Sequence, residues 1–462
     1  MRKTRFRSFP VLMITLAFFA GLIYFIINLA IHSAEWASMP YNGHLSDSDA
    51  MEMTGTITDR NGVVLAKTED GKRIYNEDED IRRACLHVVG DDSVNISTAI
   101  QTIYRSELSG YNFILGLGAP DILQKGADIE LTIDSEVQKA AYRALGDYRG
   151  AVIVYNYKTG EVICMVSTPT YDPENVPEDI DTNDEYEGAY INRTISASYP
   201  PGSTFKLVTA SAALEEDPDN ENREYDCIGY TEIGGKTINC YSVSGHIDMT
   251  GALMNSCNAY FAELTVDLGK DCMLKQAEKM GFNSSWKFDG IETADSSYDV
   301  SKADDNSFAW SGVGQYTVLE SPINMAIRSS AIANGGKSVT PELIMNIDTL
   351  FGGSLKQNDS SPSKTMMSKE TADKLADMMD YTVENNYGKG YFSNYLDVCA
   401  KTGTAEVSDD GLAHAWVTGF TKDEDCPLAF AVIVEHGNSG YQTAIPVAGA
   451  VLDAAAEALG SD

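Results

Sequence analysis

Basic residues are scarce in this 462-residue sequence: 34 Lys and Arg stand against 68 Asp and Glu, a formal net charge of −34. A polyanion of this kind repels phosphate backbones, so no nucleic-acid partner is expected. The six histidines, at 32, 44, 87, 246, 414 and 436, show no ligand spacing, and the eight cysteines contain no C-x-x-C pair. The sequence therefore writes no recognisable zinc or cluster site, and neither metal nor cofactor is expected. Internal repeats and low-complexity runs are absent too. Apolar residues make up 43%, above the range of a disordered chain, and the length suits two or more folded units.

One long hydrophobic run is present. Arg2, Lys3, Arg5 and Arg7 precede 23 uncharged residues from Phe9 to Ile31, enough to cross a hydrocarbon core of about 30 Å as a helix. No Lys or Arg follows until Arg60, so the charge bias leaves residues 1–8 in the cytoplasm and the rest outside. Ser33-Ala34 keeps a cleaved signal peptide as the rival, but the run exceeds the ~7–15 apolar residues usual there. A retained single-pass membrane anchor over 9–31 is the expectation, and both readings export the body of the chain. In that compartment Cys227 and Cys240, flanking the turn Ile233-Gly234-Gly235-Lys236, can face each other as a disulfide across a hairpin. Two small buried thiols are the alternative. Cys164 and Cys399 sit in apolar strand-like runs and read as core.

Residues 33–127 form a first extracytoplasmic region, a small pedestal. Its legible feature is the strand–turn–strand pattern from Gly55 to Leu65 around Asn61-Gly62. After Gly126 the texture changes. Leu131–Ile133 reads as a strand, and Asp134 caps a helix from Ser135 to about Leu145. Two strands follow, Ala151–Tyr155 and Glu161–Ser167, joined at Lys158-Thr159-Gly160. Three more stand near the other end, about Val398–Val407, Ala415–Thr421 and Leu428–Glu435, before a helix from about Ile445 to Leu459. Helical patterns at 203–215, 259–268, 272–280, 322–334 and 368–384 lie between, with Ser321-Pro322 and Ser368 as starts. This predicts an α+β architecture: one antiparallel sheet assembled from both ends of a domain, layered with helices, with a large helical insertion.

Three short motifs carry chemistry. In Tyr199-Pro200-Pro201-Gly202-Ser203-Thr204-Phe205-Lys206, Ser203 falls at a helix N-terminus, where unpaired N–H groups favour developing negative charge. Lys206, three residues on, shares its face, and a desolvated Lys beside a Ser activates a weak nucleophile. Ser256-Cys257-Asn258, in a loop before an apolar helix, offers a hydroxyl to pass a proton and an amide to hold a peptide group. In Lys401-Thr402-Gly403-Thr404-Ala405-Glu406-Val407, Gly403 leaves a strand open to an extended ligand. Lys401 and the hydroxyls of Thr402 and Thr404 can receive a carboxylate. Each motif alone has a bland reading as a cap or an exposed turn.

In this order, S-x-x-K, S-x-N and K-T-G are the signature of penicillin-binding proteins and serine β-lactamases. Asn192-Arg193, Gly312-Val313-Gly314-Gln315, Ser321-Pro322, Met325-Ala326 and Trp416-Val417-Thr418-Gly419-Phe420 extend the similarity over about Leu131–Leu459. The chain resembles the class B-like, PbpA-type peptidoglycan D,D-transpeptidases of the penicillin-recognising superfamily. That resemblance implies a transpeptidase domain over 128–462, with a five-stranded antiparallel sheet and a helical subdomain, behind a pedestal or dimerisation-like domain over 33–127. It implies Ser203 as the nucleophile toward D-Ala–D-Ala stem peptides, Lys206 as general base, and Ser256 with Lys401 as the route of the proton to the leaving amine. Asn258, Thr402, Gly403 and Thr404 would bind substrate, and the Ser203 and Thr404 N–H groups would form the oxyanion hole. The resemblance also implies acylation by β-lactams and a partner among cell-wall assembly proteins, such as a SEDS-type glycosyltransferase. Cys257 stands where some relatives carry Asp.

Within the family, residues 33–127 are too few for the glycosyltransferase domain of bifunctional relatives. No E-x-x-L-N stretch supplies the deacylating group of a class A β-lactamase. A D,D-carboxypeptidase and a non-catalytic scaffold on the same fold remain the alternatives. The elongation or division role is not legible.

Overall fold

The structure, a computed structural model, describes residues 2–38, 53–109, 126–348, 362–406 and 412–460. Residues Arg2–Ser38 form one helix, and its stretch Phe9–Asn28 is long and apolar enough to cross a membrane, with none of it buried against the rest of the protein.

Five strands build the central sheet: β1 (Gly150–Asn156), β2 (Val162–Thr168), β3 (Val398–Glu406), β4 (Ala413–Thr421) and β5 (Leu428–Val434). Their order is β3-β4-β5-β1-β2 and every pairing is antiparallel. The two ends of the domain thus make one sheet, as the sequence predicts, and β3 forms an edge. Around it stand α1 (Ser135–Leu145), α2 (Lys206–Glu216), α3 (Asn258–Lys279, broken at Gly269), α4 (Pro322–Ala333), α5 (Lys369–Thr382) and α6 (Ile445–Leu459).

The strands are nearly continuous apolar runs because both sheet faces are covered. Alternation then sorts the side chains. Val152, Val154, Val166, Val417 and Val432 pack in the core shared with α1 and α6. Ala151, Ile153, Met165, Ala431 and Ile433 point to the other face, where they pack in the core shared with α2 and α4. The caps are those the sequence names. Asp134 accepts from the Glu136 and Val137 N–H groups at 3.0 and 3.1 Å, and Ser368 from Thr371 N–H at 3.1 Å.

Two expectations are corrected. The helix read from 203 starts at Lys206, because Gly202–Phe205 forms a 3₁₀ turn ahead of it. The strand read over Leu131–Ile133 runs over Asp128–Leu131 instead, and it leaves the central sheet. It pairs with Ile57–Thr58 and with Ile344–Asp348 in a second five-stranded sheet, completed by Val64–Glu69 and Lys72–Tyr75. Thr132 still donates its N–H to the Leu343 carbonyl (2.9 Å) and its hydroxyl to that of Glu342 (2.8 Å), and Asp134 then begins the cap of α1. Val407, the last residue of the third motif, lies outside the described residues.

The second sheet takes strands from both sides of residue 127, and the Asp59-Arg60-Asn61-Gly62 turn fastens the two parts. Asp59 is fully buried; it accepts from the Asn61 and Val63 N–H groups at 2.9 Å within the turn and from the Ser135 hydroxyl at 2.7 Å across the junction. Arg82 adds a two-pronged contact to Asp172, both prongs 2.7 Å.

Candidate active site

The nucleophile turn is held by its surroundings rather than by its own sequence. Tyr199 pairs its backbone with Glu320 at 2.9 and 2.8 Å. Its hydroxyl donates to Glu435 at 2.7 Å, and Arg193 donates to the same carboxylate at 2.8 Å. Trp416 Nε1–H on β4 reaches the Pro200 carbonyl (2.9 Å), and Gly202 N–H reaches the Gly314 carbonyl (2.9 Å). The segments around the nucleophile therefore include several of those that extended the sequence resemblance. Gly202 has a φ of 54°, and a Cβ there would come within 2.5 Å of the Thr404 carbonyl oxygen. Two backbones approach that closely only across a glycine.

Ser203 is half-buried in the 3₁₀ turn, and Lys206, fully buried, opens α2 behind it. The Lys206 Nζ lies 3.0 Å from Ser203 Oγ, 2.6 Å from the Ser256 carbonyl oxygen, 2.7 Å from Asn258 Oδ1 and 3.1 Å from Ser256 Oγ. Ser256 sits between two helices, Met249–Met254 and α3, and its φ of 52° turns hydroxyl and carbonyl toward the lysine. Its Oγ is also 3.2 Å from Lys401 Nζ on β3. The structure thus joins Ser203, Lys206, Ser256, Asn258 and Lys401 in one continuous polar chain.

Burial lowers the pKa of Lys206 well below the ordinary lysine value, and the charge of Lys401 lowers it further. Lys401, fully buried as well, is brought down to about 7 by burial. Both amines are therefore poised to be neutral where an ordinary lysine is charged. A neutral amine keeps two N–H donors. The two closest oxygens around Lys206, the Ser256 carbonyl and Asn258 Oδ1, can only accept, so the donors go there. The lone pair is left for the Ser203 hydroxyl, the arrangement a general base needs.

Thr402, Gly403 and Thr404 lie on edge strand β3; Thr402 is half-buried and Thr404 exposed. A Cβ on Gly403 would meet the Pro201 carbonyl oxygen at 2.7 Å, Thr204 Cγ2 at 3.0 Å and Trp416 Cβ at 3.1 Å. Replacing it by Val must push β3 off the nucleophile turn. Gly403→Val is expected to slow acylation of Ser203 by roughly 10²-fold, the cost of about 1 Å of misplacement. The rate of labelling by a fluorescent penicillin checks it.

One residue of the site carries no sequence signal. Tyr387, buried at the end of the turn Val383–Tyr387 after α5, accepts from the Thr402 N–H at 3.1 Å. Its hydroxyl lies 2.8 Å from Thr402 Oγ1 and 3.4 Å from Lys401 Nζ. A single Tyr before a glycine, in no motif, could be found only through the fold. Of the two readings of Cys227 and Cys240, a disulfide or two thiols, the structure has the thiols: they lie side by side, 3.8 Å apart, with Cys257 beside them. Cys164 and Cys399 are buried, as read.

The family model for the penicillin-binding protein transpeptidase domain matches residues 150–456. The peptidoglycan D,D-transpeptidase PbpA of Mycolicibacterium smegmatis is 28% identical over 360 residues, 72% of this chain and 73% of that protein. A ceftriaxone acyl-enzyme complex of penicillin-binding protein A from M. tuberculosis superposes with a TM-score of 0.76 at 25% identity, covering 88% of this chain and 99% of that one. A D,D-transpeptidase domain from Eggerthella lenta gives 0.76 at 29% identity, covering 89% and 100%. Because the family match takes in well over half of the sequence, from the first strand of the central sheet into its last helix, this chain belongs to the penicillin-binding protein transpeptidase family.

Proposed function

We propose that the chain is a serine-type peptidoglycan D,D-transpeptidase that cross-links stem peptides through an acyl-enzyme on Ser203. The observation that carries the reading is the polar chain Ser203–Lys206–Ser256–Lys401, in which each link is 3.2 Å or shorter. Lys206, neutral, takes the Ser203 proton as Oγ attacks the carbonyl of the penultimate D-Ala. The Ser203 and Thr404 N–H groups receive the oxyanion, fixed donors aimed at charge that exists only near the transition state. Ser256 returns the proton to the departing amine, with Lys401 holding its hydroxyl. Asn258 binds the donor's amide, and Thr402 and Thr404 bind the terminal carboxylate, which a β-lactam imitates. Gly403 lets β3 close against the turn that carries Ser203, and the peptide lies along β3 as an added strand. An amine of a second stem peptide then accepts the acyl group, and the cross-link closes.

The N-terminal helix anchors the protein in the cell membrane, with residues 1–8 cytoplasmic, 9–31 spanning, the pedestal 33–127 and the transpeptidase domain 128–462 outside. The basic residues before Phe9 and the absence of others until Arg60 support that direction. The pedestal is the surface for a cell-wall assembly partner such as a SEDS-type glycosyltransferase.

The detergent-solubilised chain, incubated with a labelled penicillin, is expected to carry one long-lived adduct on the peptide containing Ser203. Rapid turnover of the penicillin with no retained label would instead make it a β-lactamase.

A further inference from the structure

Three thiols meet against the S-x-N loop. Cys227 ends the short strand Tyr225–Cys227, Cys240 follows the hairpin strand Lys236–Asn239, and Cys257 is the middle residue of the motif and the N-cap of α3. Cys240 Sγ lies 3.8 Å from Cys227 Sγ and 3.7 Å from Cys257 Sγ, and all three sulfurs fall within 4.8 Å of one another. Cys240 is the partly exposed member; the other two are buried. Two N–H groups of the first turn of α3 point at sulfur. Ala259 donates to Cys240 at 3.2 Å and Tyr260 to Cys257 at 3.5 Å. A hydrogen bond from the Cys257 thiol, and after it the Ala259 N–H, hold Cys240 below the ordinary thiol range against the opposing effect of burial. Sulfur that is partly exposed, accepts hydrogen bonds and has a lowered pKa is the reactive kind.

We propose that Cys240 is a thiol–disulfide exchange centre that bonds to either neighbour, and that its bond to Cys257 slows acylation of Ser203; the inference rests on the transpeptidase reading. The Cys240 thiolate attacks one sulfur of an incoming disulfide, of a protein or a small thiol. The oxidant's S–S bond breaks, its other sulfur leaves as thiolate, and a mixed disulfide forms. Cys257 then attacks Cys240 Sγ and expels the second oxidant sulfur, its proton passing to that sulfur as it leaves. The two protein thiols lose two electrons and two protons, and the oxidant becomes two thiols. Cys227 can displace Cys257 from Cys240 by the same attack, with no net oxidation, so three thiols hold one disulfide that can sit in either of two places.

Only one of those bonds touches the site. Drawing Cys257 from 3.7 Å into a covalent bond with Cys240 moves the residue between Ser256 and Asn258. Those neighbours supply three of the four oxygens around the Lys206 amine. A bond between Cys227 and Cys240 ties the hairpin to its neighbouring strand and leaves Cys257 free.

The full chain in detergent, reduced with a phosphine or oxidised with glutathione disulfide, tests this by the acylation rate with a fluorescent penicillin and by mapping of disulfide-linked peptides. Oxidation is expected to yield the Cys240–Cys257 peptide pair and to slow acylation tenfold or more, with recovery on reduction. Cys240→Ser should acylate at the reduced rate under both conditions, and Cys227→Ser should remain sensitive. The inference is overturned if oxidation joins only Cys227 to Cys240, or if the Cys240–Cys257 pair forms with the rate unchanged. One equivalent of zinc held by the three thiols and shielding them from glutathione disulfide overturns it as well. A reduced chain that takes no label at Ser203 sinks the transpeptidase reading and this inference together, whereas equal labelling in both states sinks the inference alone.

Discussion

Ser203→Ala is expected to abolish covalent labelling by penicillin, with a loss of at least ~10³-fold that leaves no adduct on the Ser203 peptide. The substitution removes the hydroxyl that lies 3.0 Å from the Lys206 amine. No other serine can substitute. Ser256 Oγ is 3.1 Å from the same amine, but it belongs to the loop before α3 and not to the Gly202–Phe205 turn that lies against Thr404 on β3. The fold should survive, because a half-buried hydroxyl truncated to methyl loses little packing. The thermal midpoint of the variant should stay within a few degrees of the parent, since surface-side truncations cost about 0.5 kcal/mol or less. Mass spectrometry of the intact protein after penicillin treatment decides it. A parent-like mass increase on the variant would remove Ser203 as the nucleophile.

Lys206→Met should lower acylation by about 10²–10⁴-fold, the range of a positioned general base. Unlike the serine change it also strands acceptors. The Ser256 carbonyl, 2.6 Å from the amine, loses that donor, and so does Asn258 Oδ1 at 2.7 Å. A hydrogen bond lost at a half-buried acceptor costs about 0.5–1.5 kcal/mol, so this variant should melt earlier than Ser203→Ala. The pH profile separates base from scaffold. Acylation needs neutral Lys206, so the rate climbs as pH rises through the pKa of that amine, which burial and the Lys401 charge hold well below 10.5. Lys401→Ala removes the like charge, so the midpoint of the acid limb must move up while the maximal rate falls. A limb that stays in place would show that the two amines do not sense each other.

The elements were legible where their signal is local. Asp134, Ser321 and Ser368 cap helices with their own side chains, which short-range sequence encodes. The five sheet strands read correctly because runs such as Leu428–Val434, seven residues long and rich in Val, Ile and Phe, are too short for a buried helix and suit a strand covered on both faces. The strand near Leu131 was misplaced because its partner, Ile344–Asp348, lies more than 200 residues downstream, and no local pattern announces such a pairing. Tyr387 escaped for the same reason. Its value is a hydroxyl 3.1 Å from the Thr402 N–H, a relation between two chain segments and not a property of either.

By itself, the sequence named the candidate reacting groups, a long apolar run in its first thirty residues, and the residues of three motifs whose spacing within each motif sets their local geometry. Tertiary structure alone decided how those motifs meet: how deeply both lysines are buried, which oxygens the Lys206 amine touches, and that three scattered cysteines lie in van der Waals contact against one of the motifs. The physical reason is range. Caps, turns and alternation act over a few residues, whereas desolvation and thiol contact depend on which distant segments the two packed faces of one sheet bring together.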